Sequence, residues 1–292
     1  MSSFRGMLVL LAAATAFGVM ALFVKLATET LRGSEVAVFR FAVALVPVLL
    51  LPSVRRDAFR FDRPRPLLLR GFFGALAVLL YFTAISRIPI GVAALLNTTA
   101  PVFSGIFAAI FLGERLRLQV IVPLAVTITG IVLVVQGHSA PGREIFGFGS
   151  GEAFALASAV CAGAALTAMR GARRTERTWS TVTSLSLFGI AITVPMAIAH
   201  WTWPSPREWL LVLLAGAFGL LGQLLLTWAY RWVETMVAGI VSQFTVIIAM
   251  ALGVAFLGDR MNLLTIAGTL ITIGGVAAVI ALTRNRPQLS SS

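Results

Sequence analysis

Ten stretches of about twenty apolar residues follow one another along the 292-residue chain. Each is long enough to cross the hydrocarbon core of a bilayer as a helix. They run roughly over 7–27, 36–52, 67–86, 91–112, 118–136, 150–170, 180–200, 209–230, 235–257 and 262–282. The polar stretches between them, of which Ser53–Pro66, Gln136–Gly149 and Arg170–Trp179 are the longest, are too short to bury a core of their own. Charged residues make up 12% of the chain, half of the roughly 25% that hydrates a soluble domain. This excludes an ordinary soluble enzyme and a disordered chain, and a single cysteine, Cys161, excludes a disulfide scaffold. Strands of a membrane barrel would alternate polar and apolar residues. Runs such as Val43-Ala44-Leu45-Val46 are apolar on every face. The first run, Met7 to Leu22, is longer than the apolar core of a signal peptide and reads as an uncleaved first span. The expected fold is an all-α polytopic membrane protein with ten transmembrane helices.

An internal repeat organises the ten spans. Phe111-Leu-Gly-Glu-Arg115 returns as Phe256-Leu-Gly-Asp-Arg260, an offset of 145 residues. The same offset, without a gap, lays Gly71, Phe73 and Gly74 on Gly216, Phe218 and Gly219. It lays Gly18 on Gly163, Ala84 on Ala229, Gly130 on Gly275 and Lys25 on Arg170. The chain therefore reads as two five-span halves, 1–145 and 146–292. Because five is odd, the second half starts on the opposite side of the membrane. The halves are then inverted repeats about an axis in the membrane plane, a plan that provides two mirror-related states for alternating access.

Basic residues orient the chain. With the N-terminus inside, inner segments hold sixteen of the 23 Lys and Arg, outer loops hold five, and Lys25 and Arg40 lie near outer helix ends. Both termini are expected inside. The net charge of +12 then marks topology and contact with anionic lipid rather than nucleic-acid binding.

These features resemble the drug/metabolite transporter superfamily, EamA type. The residues that carry the resemblance are the Gly113-Glu114-Arg115 corner with its echo at Gly258-Asp259-Arg260, and Arg40 within Phe39-Arg40-Phe41. Lys25 at the end of span 1, Ala84 at the end of span 3, and Asn97-Thr98-Thr99-Ala100-Pro101-Val102 in span 4 complete the pattern. The second half departs from it, with Val246 where the repeat would place a proline and Asp259 for Glu114. The resemblance implies a small-molecule transporter in a family that includes bacterial exporters of amino acids and other metabolites. It implies a multi-pass protein of the cell inner (plasma) membrane.

Candidate site residues follow from the cost of polar groups in lipid. Asn97, Thr98 and Thr99 cluster in span 4, Ser242 and Gln243 occupy the equivalent stretch of span 9, and Gln223 lies in span 8. Their polar groups must face the bundle interior, either bonding between helices or lining a wet cavity. Tyr81 and Trp228 sit deeper than the other Trp and Tyr residues, either as interface anchors or as walls of an apolar pocket. Pro101 can kink span 4, and with Gly18 and Gly163 it forms the set of candidate gating or hinge positions. Lys25 and Arg40 read either as snorkelling residues that pair with Glu29 or Glu35, or as an electropositive entrance for a substrate carboxylate. No basic group is expected at mid-depth. All eleven carboxylates fall in loops or near span ends, so no membrane carboxylate is expected to couple transport to a driving ion.

The expected function is export of small metabolites, most fittingly amino acids including aromatic and apolar ones, by facilitated or exchange transport with alternating access. Efflux of drug-like or cationic aromatic compounds is the alternative, and a channel or structural membrane protein is third. No enzyme activity, metal or cofactor is expected. The partners are a small-molecule substrate and the lipid bilayer, and a monomer is compatible with this reading.

Overall fold

The computed structural model describes residues 2–60, 64–112, 121–138, 149–169, 178–229 and 240–283. Their secondary structure is helical: α1 (Ser2–Ala27), α2 (Gly33–Leu50), α3 (Pro52–Ala58), α4 (Pro64–Ile85), α5 (Ile90–Asn97), α6 (Ala100–Leu112), α7 (Ile121–His138), α8 (Ser150–Met169), α9 (Thr178–Ile198), α10 (Pro206–Ala229), α11 (Phe244–Leu252) and α12 (Leu263–Thr283). Among the described residues nine stretches are long and apolar enough to cross a membrane, with α5 and α6 counted as one and 240–257 as another. The tenth, Ile121–Gly137, is shorter; its expected start at 118–120 lies outside the described residues. So do the first residues expected of span 9, the Gly113-Glu114-Arg115 corner and Arg170.

Three local features differ from the sequence expectation. Pro52 opens a short helix, α3, within the polar stretch that follows the second span; proline suits a first helical position because its missing N–H needs no partner there. Ser180 Oγ, 2.7 Å from the Asp57 carbonyl oxygen and 2.6 Å from that of Arg60, ties α3 to α9. The fourth span is broken at Thr98–Thr99. Pro101 explains this break: it offers no N–H to the Asn97 carbonyl, and its ring crowds that oxygen. Finally, α11 runs into one π-helical turn, Gly253–Leu257, and stops at Gly258, whose φ of 69° is left-handed backbone that suits glycine.

Packing crosses between the two halves of the sequence. The most extensive helix pairs are α7 with α12, α4 with α8, α1 with α10 and α2 with α9. Each joins a helix before residue 145 to one after it, so neither half buries a core by itself. Glycines permit the closest approaches, as expected where lipid supplies no hydrophobic drive between helices. These approaches recur at positions 145 apart. Gly71 meets Phe188 and Gly216 meets Val43; Gly130 meets Thr272 and Gly275 meets Thr127; Gly18 meets Ile248 and Gly163 meets Phe103.

One end of the bundle is tied together by polar contacts. Lys25 Nζ donates to the carbonyls of Ile85 (2.8 Å), the last residue of α4, and of Ile88 (3.1 Å), just past it. Glu35, fully buried, accepts the backbone N–H groups of Arg32 and Thr202 (both 2.7 Å) and the Thr202 hydroxyl (3.0 Å). Thr30 donates to Glu208. Arg87 stacks over Phe154, its guanidinium carbon 4.5 Å from the ring centroid. Glu152, also fully buried, accepts the Gly149 N–H at the start of α8. These carboxylates sit at helix N-termini, as the sequence placed them, where they satisfy amides the helix leaves open.

Candidate functional site

A cavity of about 280 Å³ lies in the middle of the bundle, bounded by α1, α2, α4, α5, α8, α9, α10 and the 240–257 span. Its walls are mostly apolar, with Ala13, Ala14, Phe17, Met20, Val78, Phe82 and Leu185 among them. Polar groups reach it from five residues of the sequence-derived set: Tyr81, Asn97, Thr98, Gln223 and Ser242. Arg40 and Thr245 also line it.

The broken fourth span positions two of these groups. Asn97 is the last residue of α5, at the point where Pro101 stops the helix. Ser158 Oγ, on α8, lies 2.8 Å from the Ala77 carbonyl and 2.9 Å from Asn97 Oδ1, so its one proton is shared between two acceptors. This contact holds the Asn97 amide against α8. Thr98 follows, its hydroxyl donating to the Leu95 carbonyl at 2.9 Å.

The ninth span breaks at Gln243, 145 residues after Thr98, although Val246 replaces the proline. Its turn is held by Gln243 N–H to the Ile240 carbonyl (3.1 Å) and Val246 N–H to the Gln243 carbonyl (3.0 Å). Gln243 Nε2 donates to the Thr98 carbonyl at 3.3 Å. One break thus supplies the donor for a carbonyl that the other leaves open.

Not every sequence candidate reaches the cavity. Thr99 is buried, and its hydroxyl donates to the Leu96 carbonyl at 2.6 Å. Gln243 is buried between the two interrupted spans rather than on the cavity wall. Trp228 lies on the outer side of α10, 45% exposed. Gly18 and Gly163 are close-packing points: a Cβ at either would stand 2.6 Å from a side-chain atom of Ile248 or Phe103.

The two basic candidates separate. Lys25 is engaged with backbone carbonyls. Arg40 is 4% exposed and lines the cavity, which corrects the expectation that no basic group sits at depth. The cause is local. Helix α2 begins at Gly33 rather than at the expected 36, so Arg40 lies seven residues inside it, about 10 Å along the axis. Glu35, which the sequence offered as a partner, is occupied by Arg32 and Thr202. The sequence reading also missed Ser158, which looks like one more small residue in an apolar run.

Comparison with known proteins agrees with this architecture. The EamA-like transporter family model matches residues 4–136 and again 149–281, two matches 145 residues apart. The pseudopaline exporter CntI of Pseudomonas aeruginosa is 30% identical over 282 residues, covering 96% of each chain. Solute carrier family 35 member G1 of Mus musculus is 25% identical, covering 88% of this chain and 73% of that one. A solved crystal structure superposes with a TM-score of 0.65 at 22% identity, over 96% of this chain and 98% of the other, a likeness of fold. On the two family matches and the near-complete alignment to a bacterial exporter, the chain is a multi-pass membrane protein that belongs to the EamA-like transporter family.

Proposed function

We propose that the protein is a secondary transporter that exports small metabolites, amino acids with apolar or aromatic side chains foremost, across the bacterial inner membrane. The observation that carries this reading is the mid-bundle cavity beside the two interrupted spans. Its volume of about 280 Å³ falls just below the roughly 300–1,000 Å³ of drug-sized ligand sites, which suits a small metabolite better than a drug-sized compound. Apolar walls with a few hydrogen-bonding groups match a solute with a variable apolar body and a constant polar head. CntI is named as an exporter, which supports the direction of flux.

The mechanism in this reading is alternating access between halves 1–145 and 146–292, arranged as inverted repeats with both termini cytoplasmic. Support comes from the close contacts that recur 145 residues apart and from the family matches at the same offset. Because the main interfaces lie between the halves, a rocking motion can exchange one set of contacts for its counterpart. The bonds of Lys25, Glu35 and Thr30 would break when that end opens. Asn97, Thr98 and Ser242, beside the breaks, offer groups that helices would otherwise consume. Glu35, Glu152 and Glu208 are engaged as acceptors at helix N-termini, which favours facilitated or exchange transport without enzymatic chemistry.

The test is counterflow in proteoliposomes preloaded with unlabelled amino acids, following labelled entry with no ion gradient. Selective acceleration by aliphatic and aromatic amino acids is expected. Flux that needs an imposed pH gradient would refute the uncoupled mechanism. Movement of cationic aromatic compounds in place of amino acids would give the efflux alternative.

A further inference from the structure

We propose that Arg40 is the anion receptor of the cavity and that the solutes carried have a carboxylate. The inference rests on the transport reading above and names its substrate chemistry. Arg40 is more than nine-tenths buried, and its side chain forms part of the cavity wall. Among the described residues its buried Nε meets no hydrogen-bond partner. Among the described residues no carboxylate lines the cavity or pairs with Arg40. The charged group that acts on it is a second cation, Arg70. Its guanidinium carbon lies 5.3 Å from the centroid of the Phe41 ring.

A guanidinium keeps its charge and presents several donors in a planar fork. Buried in a bilayer without a counter-ion, it is costly, and such residues mark ligand paths. A structural role for Arg40 would be met by a partner on a neighbouring helix; here the facing helix supplies a glycine. A Cβ at Gly219 would stand 3.2 Å from Arg40 Nε and 3.0 Å from Met20 Sδ, so the missing side chain makes room for the arginine. The counterpart site, 145 residues on, shows what packing alone requires: Leu185 lies against Gly74 there and also lines the cavity. One position of the pair is thus an aliphatic wall and the other a cation. A single fork in a small apolar cavity matches one carboxylate on an apolar body, since two parallel N–H···O bonds satisfy both oxygens.

The experiment compares L-phenylalanine, L-phenylalaninamide and phenethylamine as counterflow solutes for wild type, Arg40→Leu and Arg40→Lys. The amide and the amine keep the ring and the ammonium and lack the carboxylate. Wild type is expected to favour phenylalanine over both by about 10- to 100-fold, the range of hydrogen bonds to a charged group. Arg40→Leu, which copies the Leu185 arrangement, is expected to lose that preference while still moving the amine, so flux itself reports that the variant folds. Arg40→Lys is expected to fall between, since a point charge cannot fork. Equal flux of all three solutes in wild type overturns the inference and leaves the transport reading intact, as does an undiminished preference in Arg40→Leu. An Arg40→Leu that moves none of the solutes, with Arg40→Lys behaving as wild type, supports the cation. Loss in both variants together with a lowered unfolding midpoint overturns the inference in favour of a structural role. No counterflow of any solute by wild type overturns both.

Discussion

Replacing Gly275 by alanine is expected to destabilise the protein, whereas the same change at Gly274 is not. A Cβ at Gly275 would stand 2.4 Å from Thr127 Oγ1 and 2.8 Å from Thr127 N. The hydroxyl can turn away, but the backbone nitrogen cannot. Ordinary contact begins at about 3.4 Å, so α7 and α12 must part there by about 0.6 Å. A gap of that size forfeits a quarter to a half of the dispersion attraction along the shared face. Overpacking of this kind costs about 1–3 kcal/mol, and alanine returns up to about 1 kcal/mol of helix propensity. The net loss is therefore about 1–2 kcal/mol for Gly275→Ala. Among the described residues nothing lies within 4 Å of a would-be Cβ at Gly274, so Gly274→Ala keeps only the propensity gain. The assay is equilibrium unfolding in mixed micelles with rising denaturing detergent. Gly130→Ala meets Thr272 in the reciprocal way, with a Cβ 2.6 Å from Thr272 N, and is expected to cost at least as much. The double variant should lose less than the sum, because one parting of the helices relieves both sites. Equal midpoints for Gly274→Ala and Gly275→Ala would refute the close approach.

Pro101→Ala restores an N–H to the broken span, so transport rate is expected to fall more than expression; an equal fall in both would make the proline a folding residue. Gly189→Ala would place a Cβ 2.4 Å from the Phe41 ring. It is expected to cost about 1–3 kcal/mol, and Phe41→Leu in the same chain should recover at least half of that loss by unfolding midpoint; no recovery would point away from this contact. Thr202→Val removes the hydroxyl that Glu35 accepts at 3.0 Å and should lower stability by about 0.5–1.5 kcal/mol. A midpoint equal to wild type would make that bond incidental.

Much of this architecture is legible in the chain because lipid imposes simple rules. Twenty apolar residues span the core, so helix limits such as 150–170 and 180–200 match α8 and α9 to within about two residues. Pro101 announces the break in span 4 because a missing N–H acts locally. The equivalent break at Gln243 has no such sign, since Val246 stands in place of the proline. The candidate site is legible in part for the same reason. Asn97, Thr98, Gln223 and Ser242 could be placed in the interior because an amide or hydroxyl cannot face hydrocarbon unpaired. Which interior groups meet the cavity and which meet each other, as Gln243 and Thr98 do, depends on the rotation of each helix.

The sequence by itself determined the limits of most spans, the 145-residue offset and the family. Tertiary structure decided that Trp228 faces outward, that Glu35 is a cap, that the halves share their cores, and that Arg40 enters the cavity. The physical reason is that lipid and protein interior are equally apolar. A membrane helix such as α1 is hydrophobic almost all round, so its sequence sets where it begins and ends but leaves its rotation to packing. Only close contacts such as Gly219 against Arg40 select which face turns toward the solute.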